Sequence, residues 1–209
     1  TSDAAHELRS PLAALKVQTD VAQLSFDDPG AQSKALGQLH AGIDRASRLV
    51  DQLLTLSRLD SLDNLDDVEP VMMADLLQSA VLDIWHPAQQ AGIDIRLNVN
   101  APEVMRHGQP LLLSLLARNL LDNAVRYSPR GSVVDVTLHT QSFTVRDNGP
   151  GISSDALARL GERFYRPPGQ DATGSGLGLS IVKRIATLHG MSVSLGNAPE
   201  GGFEVTVSW

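Results

Sequence analysis

The sequence predicts an α+β chain in two parts, a long helical hairpin followed by an α/β sandwich whose single sheet carries helices on one face. Three observations lead there. Leu36, Leu39, Ile43, Ala46, Val50 and Leu53 recur at alternating spacings of three and four, the seam of a packed helix pair. From Val71 onward, helical and strand patterns are interleaved, as in a sheet covered by helices. Between the two parts, residues 63–70 are acidic and polar, which suits a linker. The expected division is therefore 1–62, a linker at 63–70, and 71–209.

The elements follow in order. Residues 1–26 read as a helix with an apolar stripe of Leu8, Leu12, Leu15, Val21 and Leu24. Asp27-Asp28-Pro29-Gly30 is a turn, and a second helix runs from about Ala31 to Asp60. Two helices cannot bury so long a seam alone. A four-helix bundle made by two copies is the natural solution, and the alternative is packing onto the downstream part of the same chain. Helix Ala74–Ala91 precedes short strands at Ile93–Val99 and near Val104–His107. A leucine-rich helix covers Pro110–Tyr127, and strands follow at Val133–His139 and Ser142–Arg146. Asp147–Gly174 is rich in Gly and Pro and too long for an ordinary connection, which marks a functional lid. A helix over Gly176–His189 and a hairpin within Met191–Val207 complete the chain.

Composition excludes several classes. The 209 residues are 42% hydrophobic, enough for a core in one or two domains. A net charge of −7 argues against general nucleic-acid binding. Zero cysteines remove disulfides, thiolate catalysis and zinc–thiolate sites. No apolar run reaches the length of a membrane span, and no signal peptide is present. The chain starts at Thr1, and the reading is a piece of a longer protein.

His6-Glu7-Leu8-Arg9-Ser10-Pro11 places His6 and Ser10 on one helical face. Pro11 donates no backbone hydrogen, so the Glu7 carbonyl loses its usual partner and a kink is expected just past the histidine. Glu7 can accept a proton from the imidazole of His6 and so leave a nucleophilic nitrogen. The zinc-protease pattern H-E-x-x-H fails, because Ser10 holds the fifth position. His40, His86, His107, His139 and His189 lack such a setting and read as structural or surface residues.

A second constellation lies downstream. Asn119, Asn123 and Arg126 share one stripe of the Pro110–Tyr127 helix, opposite Leu113, Leu116, Leu120 and Ala124. An amide oxygen on this stripe suits Mg²⁺, and Arg126 can meet phosphate. Taken alone, the stripe also reads as an ordinary polar face. Asp147 closes a strand before Gly149 and Gly151, where a carboxylate can accept the exocyclic amine of adenine. Gly174, Gly176, Leu177 and Gly178 lead into a helix whose amide donors favour phosphate. The G-x-G-x-G spacing lacks a βαβ setting, so it is not the dinucleotide fingerprint, and no Walker sequence exists. Between the glycine sites, Arg163-Phe164-Tyr165-Arg166 offers two cations and an aromatic anchor; either arginine can stabilise charge on a transferring phosphate.

That ordered set resembles the H, N, G1, F and G2 boxes of bacterial sensor histidine kinases, along the whole chain. The resemblance implies a dimerisation and phosphotransfer bundle followed by a Bergerat-type ATP-binding domain. It implies that His6 is the phosphoacceptor and Glu7 its proton acceptor. Asn123 then holds Mg²⁺, with Asn119 one turn earlier in a base-like position. Asp147 reads adenine and Tyr127 packs beside the nucleotide. Arg166 and Gly174–Gly178 face the phosphates. The partners implied are a second copy and the receiver aspartate of a response regulator, and the place implied is the cytoplasmic side of an inner membrane. Two positions depart from the family pattern. Ser10 stands where threonine is usual, keeping a hydroxyl that can orient water. Arg126 stands where lysine is usual.

Two other readings compete. ATPases of the gyrase, heat-shock chaperone or MutL type share this pocket, but use a glutamate to activate water where this chain has Asn119. A nucleotide-binding scaffold with a dead kinase is the non-enzymatic reading, and intact His6, Asn123 and Asp147 weigh against it.

Overall fold

The structure, a computed structural model, describes residues 2–25, 27–168 and 174–209, with side chains from Leu8 onward. The chain forms two compact units, Thr1–Arg58 and Leu59–Trp209.

The first unit is a helical hairpin. Helix α1 spans Ser2–Leu24 and continues through Pro11. Helix α2 spans Pro29–Asp60, and its last turn crosses into the second unit. Pro29 and Gly30, expected in the turn, belong to the first turn of α2. Asp28 caps that turn by accepting from the amides of Gly30 (3.0 Å) and Ala31 (3.1 Å). The helices approach closely at Gly42, where an added Cβ would lie 2.7 Å from a Leu15 methyl. The expected seam divides. Leu39, Ala46 and Leu53 are half-buried, whereas Leu36, Ile43 and Val50 remain 41–47% exposed.

The second unit is a sandwich. Its strands are β1 (Glu69–Met72), β2 (Asp94–Val99), β3 (Met105–Gly108), β4 (Val133–Leu138), β5 (Ser142–Arg146), β6 (Ser192–Asn197) and β7 (Phe203–Ser208). Its helices are α3 (Met73–Ala91), α4 (Pro110–Tyr127), α5 (Ser154–Arg159) and α6 (Gly178–Leu188). Five strands form one sheet in the order β2-β4-β5-β7-β6, with β2 and β4 parallel and the rest antiparallel. Val136, Val145, Val205 and Leu195 share one register row, and Thr137, Thr144, Thr206 and Ser194 share the next. The period of two thus sends one set into the core and leaves a polar opposite face. Helices α3, α4 and α6 pack on the apolar face, α4 in the middle. Leu77, Ile84, Leu116, Leu121, Phe143 and Ile181 are nearly or fully buried there.

Two elements were not expected. Strand β1 pairs antiparallel with β3 and takes Glu69 and Pro70 out of the linker region. Helix α5 lies within the lid stretch, capped by Ser153, whose hydroxyl accepts from the Ala156 amide at 3.4 Å. Among the described residues no helix is long and apolar enough to cross a membrane.

Candidate nucleotide site

Helix α4 is covered on more than one side, which changes the meaning of its polar stripe. Leu113, Leu116, Leu120 and Ala124 are buried as expected, but Asn119 is buried too. A buried amide needs partners. The Asn119 Nδ2 donates to the Leu115 carbonyl at 2.8 Å, which leaves its Oδ1 for another use. That oxygen faces the start of α6. A Cβ added to Gly178 would lie 3.3 Å from Asn119 Oδ1, 3.3 Å from Asn123 Nδ2 and 3.5 Å from Asn123 Oδ1. The two asparagines and the last glycine of the G-x-G-x-G stretch therefore line one small space at a helix N-terminus, where amide donors and the positive dipole end gather.

The adenine-reading candidate sits where two strands part. Asp147 follows β5, and its backbone amide donates to the Phe203 carbonyl at 2.9 Å, one step beyond the β5–β7 ladder. The return bond comes from its side chain: Asp147 Oδ1 accepts from the Phe203 amide at 3.0 Å and from the Gly149 amide at 2.8 Å. Both bonds use Oδ1, so Oδ2 has no partner among the described residues. Burial pushes the Asp147 carboxyl above its ordinary value of 3.8, and the two amides oppose that shift. A buried carboxylate with one committed oxygen suits a ligand that donates hydrogen bonds. Gly149 gives the room: a Cβ there would lie 2.9 Å from Asp147 Oδ1 and 3.0 Å from the Tyr127 carbonyl.

Tyr127 and Arg126 complete the near side. A Cβ on Gly174 would lie 3.1 Å from Arg126 Nη1 and 3.5 Å from the Tyr127 hydroxyl. The fold therefore brings Asn119, Asn123, Arg126, Tyr127, Asp147, Gly149, Gly174 and Gly178 to connected ground. Leu177 is fully buried and its amide donates to Ser175 Oγ at 3.1 Å.

The segment after α5 is pinned at Phe164. This bulky residue holds a positive φ of 64°, and its amide donates to the Gly176 carbonyl at 3.1 Å. Gly176 has φ 72°, and a Cβ on it would lie 2.6 Å from the Phe164 carbonyl carbon. Only glycine fits there. Arg159 stacks on Tyr165 at 4.1 Å and pairs with Glu162 at 3.1 Å. Arg163 and Arg166 lie on the segment that follows α5. The Arg163 guanidinium is bound to Asp60, and Arg166 is exposed. Gly151 joins the far end of the Asp147 loop rather than the cradle at Gly178.

His6 and Glu7 lie on the backbone of α1, and their side chains are outside the described residues. Ser10 is exposed on the same helix, one turn later. Among the described residues no group of three His, Cys, Asp or Glu side chains is placed to hold a metal ion.

Comparison with known proteins agrees with this order of parts. Residues 1–62 match the His Kinase A (phospho-acceptor) domain, and residues 108–209 match the family described as histidine kinase-, DNA gyrase B- and HSP90-like ATPase. Sensor protein QseC of Salmonella typhimurium is 77% identical over 209 residues, covering 100% of this chain and 46% of that protein. The solved cytoplasmic segment of histidine kinase QseC is 62% identical with a TM-score of 0.59, over 80% of this chain and 93% of that one. This chain belongs to the sensor histidine kinases. Full-length ShkA, solved in complex with AMPPNP, is similar at 25% identity and a TM-score of 0.72, over 99% of this chain and 45% of that one. The chain spans about half the length of the curated relatives it matches.

Several residues around the candidate nucleotide site escaped the motif reading. Asn197 exchanges two hydrogen bonds with Ile152, and Gly202 leaves no room for a Cβ against the Asp147 carbonyl oxygen. Ala198-Pro199-Glu200-Gly201-Gly202 reads only as a hairpin turn, and nothing in it points toward Asp147. His189 was assigned a structural role, and its position gives that role content. Its Nε2 accepts from the Gln109 amide at 3.1 Å, and its Nδ1 donates to the Ile185 carbonyl at 2.8 Å. One imidazole thus ties the N-terminus of α4 to the C-terminus of α6, the two helices that present Asn119, Asn123 and Gly178.

Proposed function

We propose that this chain is the catalytic portion of an ATP-dependent protein-histidine kinase. It moves the γ-phosphoryl group of ATP onto its own His6 and then onto an aspartate of a response-regulator receiver domain. The observation that carries this reading is the meeting of Asn119, Asn123 and Gly178, together with a buried Asp147 whose Oδ1 is held by two amides, in a chain that also carries His6 within a phospho-acceptor domain.

In this reading Asp147 accepts from the adenine amine through Oδ2, and Tyr127 packs beside the base. The α6 N-terminus, with Gly174, Gly176 and Gly178, receives the phosphates. Arg126, Arg163 and Arg166 supply positive charge around them. The cradle that a Gly178 Cβ would fill is walled by the side-chain amides of Asn119 and Asn123, whose oxygens are hard donors that fit Mg²⁺. Asn123 is the residue to hold the ion; when bound, it neutralises charge on the phosphate oxygens. Glu7 draws the imidazole proton of His6, the free nitrogen attacks the γ-phosphorus, and the bond to the ADP oxygen breaks. Asn119 occupies the position where water-activating ATPases carry a glutamate, and an amide accepts no proton. That difference supports transfer to histidine over hydrolysis.

The first unit supports a homodimer. Leu36, Ile43 and Val50 repeat every seven residues on α2 and stay 41–47% exposed in one chain, a row that a second copy can bury. In this reading the regulator is of the QseB-like kind, which the likeness to QseC supports, and the protein works at the cytoplasmic side of an inner membrane.

Phosphohistidine is acid-labile and base-stable, so incubation with radiolabelled ATP followed by acid and alkali washes tests the reading. The intact chain should retain label through alkali and lose it in acid. His6→Gln should bind ATP as tightly and take up none. Glu7→Gln should label slowly, by about 10²-fold or more. Sedimentation of the unlabelled chain should give twice the monomer mass. Alkali-stable label on His6→Gln at the unmutated level would move the acceptor elsewhere.

A further inference from the structure

We infer that Asn197 is a positioning residue for adenine recognition, acting from the β6–β7 hairpin on the Asp147–Ile152 loop. The inference rests on the reading of Asp147 as the adenine acceptor and extends it to a residue outside the motifs.

The loop is held at both ends by one rung of the sheet. At its start, Asp147 and Phe203 exchange two hydrogen bonds, one through the Asp147 main chain and one through its Oδ1. At its end, the Ile152 amide donates to Asn197 Oδ1 at 2.8 Å, and Asn197 Nδ2 donates to the Ile152 carbonyl at 2.7 Å. Asn197 and Phe203 are themselves partners in the β6–β7 register. A single cross-strand pair thus fixes residues five apart in the loop, and Asp147, Gly149 and Gly151 are strung between the two clamps. Gly151 fits the far clamp closely: its φ is 74°, and a Cβ there would lie 3.0 Å from Asn197 Oδ1.

The chemistry requires an asparagine. The clamp needs one acceptor and one donor on a planar group, matched to the donor and acceptor of a single peptide-bonded residue. Aspartate offers only acceptors and would set a negative oxygen against the Ile152 carbonyl. Alanine removes both bonds. Asn197 is exposed, so water competes for both of its bonds and their contribution to stability is small. Their effect lies in geometry: they limit where the loop can carry the Asp147 carboxylate, and alignment of a hydrogen bond with the base depends on that placement.

The test uses the intact chain, with calorimetry against Mg-ATP and Mg-GTP and steady-state autophosphorylation. Asn197→Ala should weaken ATP binding on the order of tenfold, as expected for loosening one hydrogen bond to a charged group. GTP binding should change by less than about twofold, because guanine makes no use of the adenine contact, so the ATP preference narrows. The kinetic loss should fall on KM. Asn197→Asp should match Asn197→Ala, and the thermal midpoint of each should stay within about 3 °C of the unmutated chain. Equal loss of ATP and GTP affinity, a fall in kcat at unchanged KM, or full affinity in Asn197→Asp overturns the inference. Asp147→Asn is measured in parallel. If it loses ATP affinity while Asn197→Ala keeps it, the inference fails and the adenine reading stands. If Asp147→Asn itself keeps full ATP affinity, the adenine reading fails and takes the inference with it.

Discussion

Arg163 donates from Nη2 to both carboxylate oxygens of Asp60, each at 2.8 Å. Asp60 is the last residue of α2, and the carbonyls of Leu59 and Leu62 beside it accept from Arg184 of α6 at 3.1 and 2.6 Å. Two arginines of the ATP-binding domain therefore close the C-terminal turn of α2, where unpaired carbonyls and the negative dipole end favour cations. Arg163 lies just after α5, and the same guanidinium that is proposed to serve phosphate is engaged with Asp60.

This sets up a competition that can be measured. The pair is half exposed, with side-chain exposures of 53% and 38%, so its contribution to stability is at most about 1 kcal/mol. Asp60→Ala should leave the unfolding free energy within that margin. It should tighten Mg-ATP binding by up to about fivefold, because Arg163 no longer has to leave a partner. In an Arg163→Ala background the Asp60 substitution should have no effect on ATP. Equal effects of Asp60→Ala in both backgrounds would show that the pair does not compete with nucleotide.

Asp147→Asn separates binding from folding. Asparagine keeps an Oδ1 for the amides of Gly149 and Phe203 but sets an amine where adenine presents its own. ATP affinity should fall by about 10- to 100-fold, the range for a hydrogen bond to a charged group. Stability should move the other way. The folded carboxyl titrates above 3.8, so its contribution is fully present below 3.8 and is lost as pH rises through the folded value. Near neutral pH the unmutated, nucleotide-free chain bears the cost of the buried charge, and Asp147→Asn should unfold at an equal or higher temperature. That advantage should vanish on acidification toward pH 4 or so. A variant that is less stable at neutral pH and equally stable in acid contradicts the assignment.

His189 gives a pH dependence of opposite sign. Burial lowers its pKa below 6.5, against the raising effect of the Ile185 carbonyl. The neutral ring is the form that accepts from the Gln109 amide. Its contribution is complete above 6.5 and is lost as pH falls through the folded value. Denaturant unfolding should lose about 1 kcal/mol as the ring charges, the size of one such hydrogen bond. His189→Gln should start less stable and show a flatter profile over the same window. The same slope in both proteins would assign the pH dependence to other groups.

Ser10 bears on a second expected activity, hydrolysis of the phosphorylated regulator. It lies exposed one turn after His6, and its hydroxyl both donates and accepts, as alignment of a water for in-line attack requires. Transfer from ATP to His6 needs no such water. Ser10→Ala should keep autophosphorylation within about twofold and slow dephosphorylation of the phosphorylated regulator by about tenfold or more. Ser10→Thr should restore or raise it, since the added methyl narrows the rotamers. If the hydroxyl only shapes the helix beside Pro11, both rates will fall together.

Periodicity and punctuation determined most of the architecture without coordinates. The three-four spacing of Leu36–Leu53, the alternation in Val133–Arg146 and the Pro110 start of α4 report local backbone choices that neighbours reinforce but do not create. The motif residues were legible for the same reason, because Asn119 and Asn123, or Gly174 to Gly178, are close in sequence and their spacing is itself the signal. Tertiary structure alone decided which of them meet. Strand β1 was invisible because four residues acquire strand character only by pairing with β3, some 35 residues away. Asn119 looked like part of a polar face and is buried, because α6 covers it from the other side. The roles of Asn197, Phe203 and His189 depend on contacts 45, 56 and 80 residues distant. Such contacts leave no periodic trace in a single chain, since only the closed sheet and the packed helices bring a hairpin to the Asp147 loop and one imidazole to the start of α4.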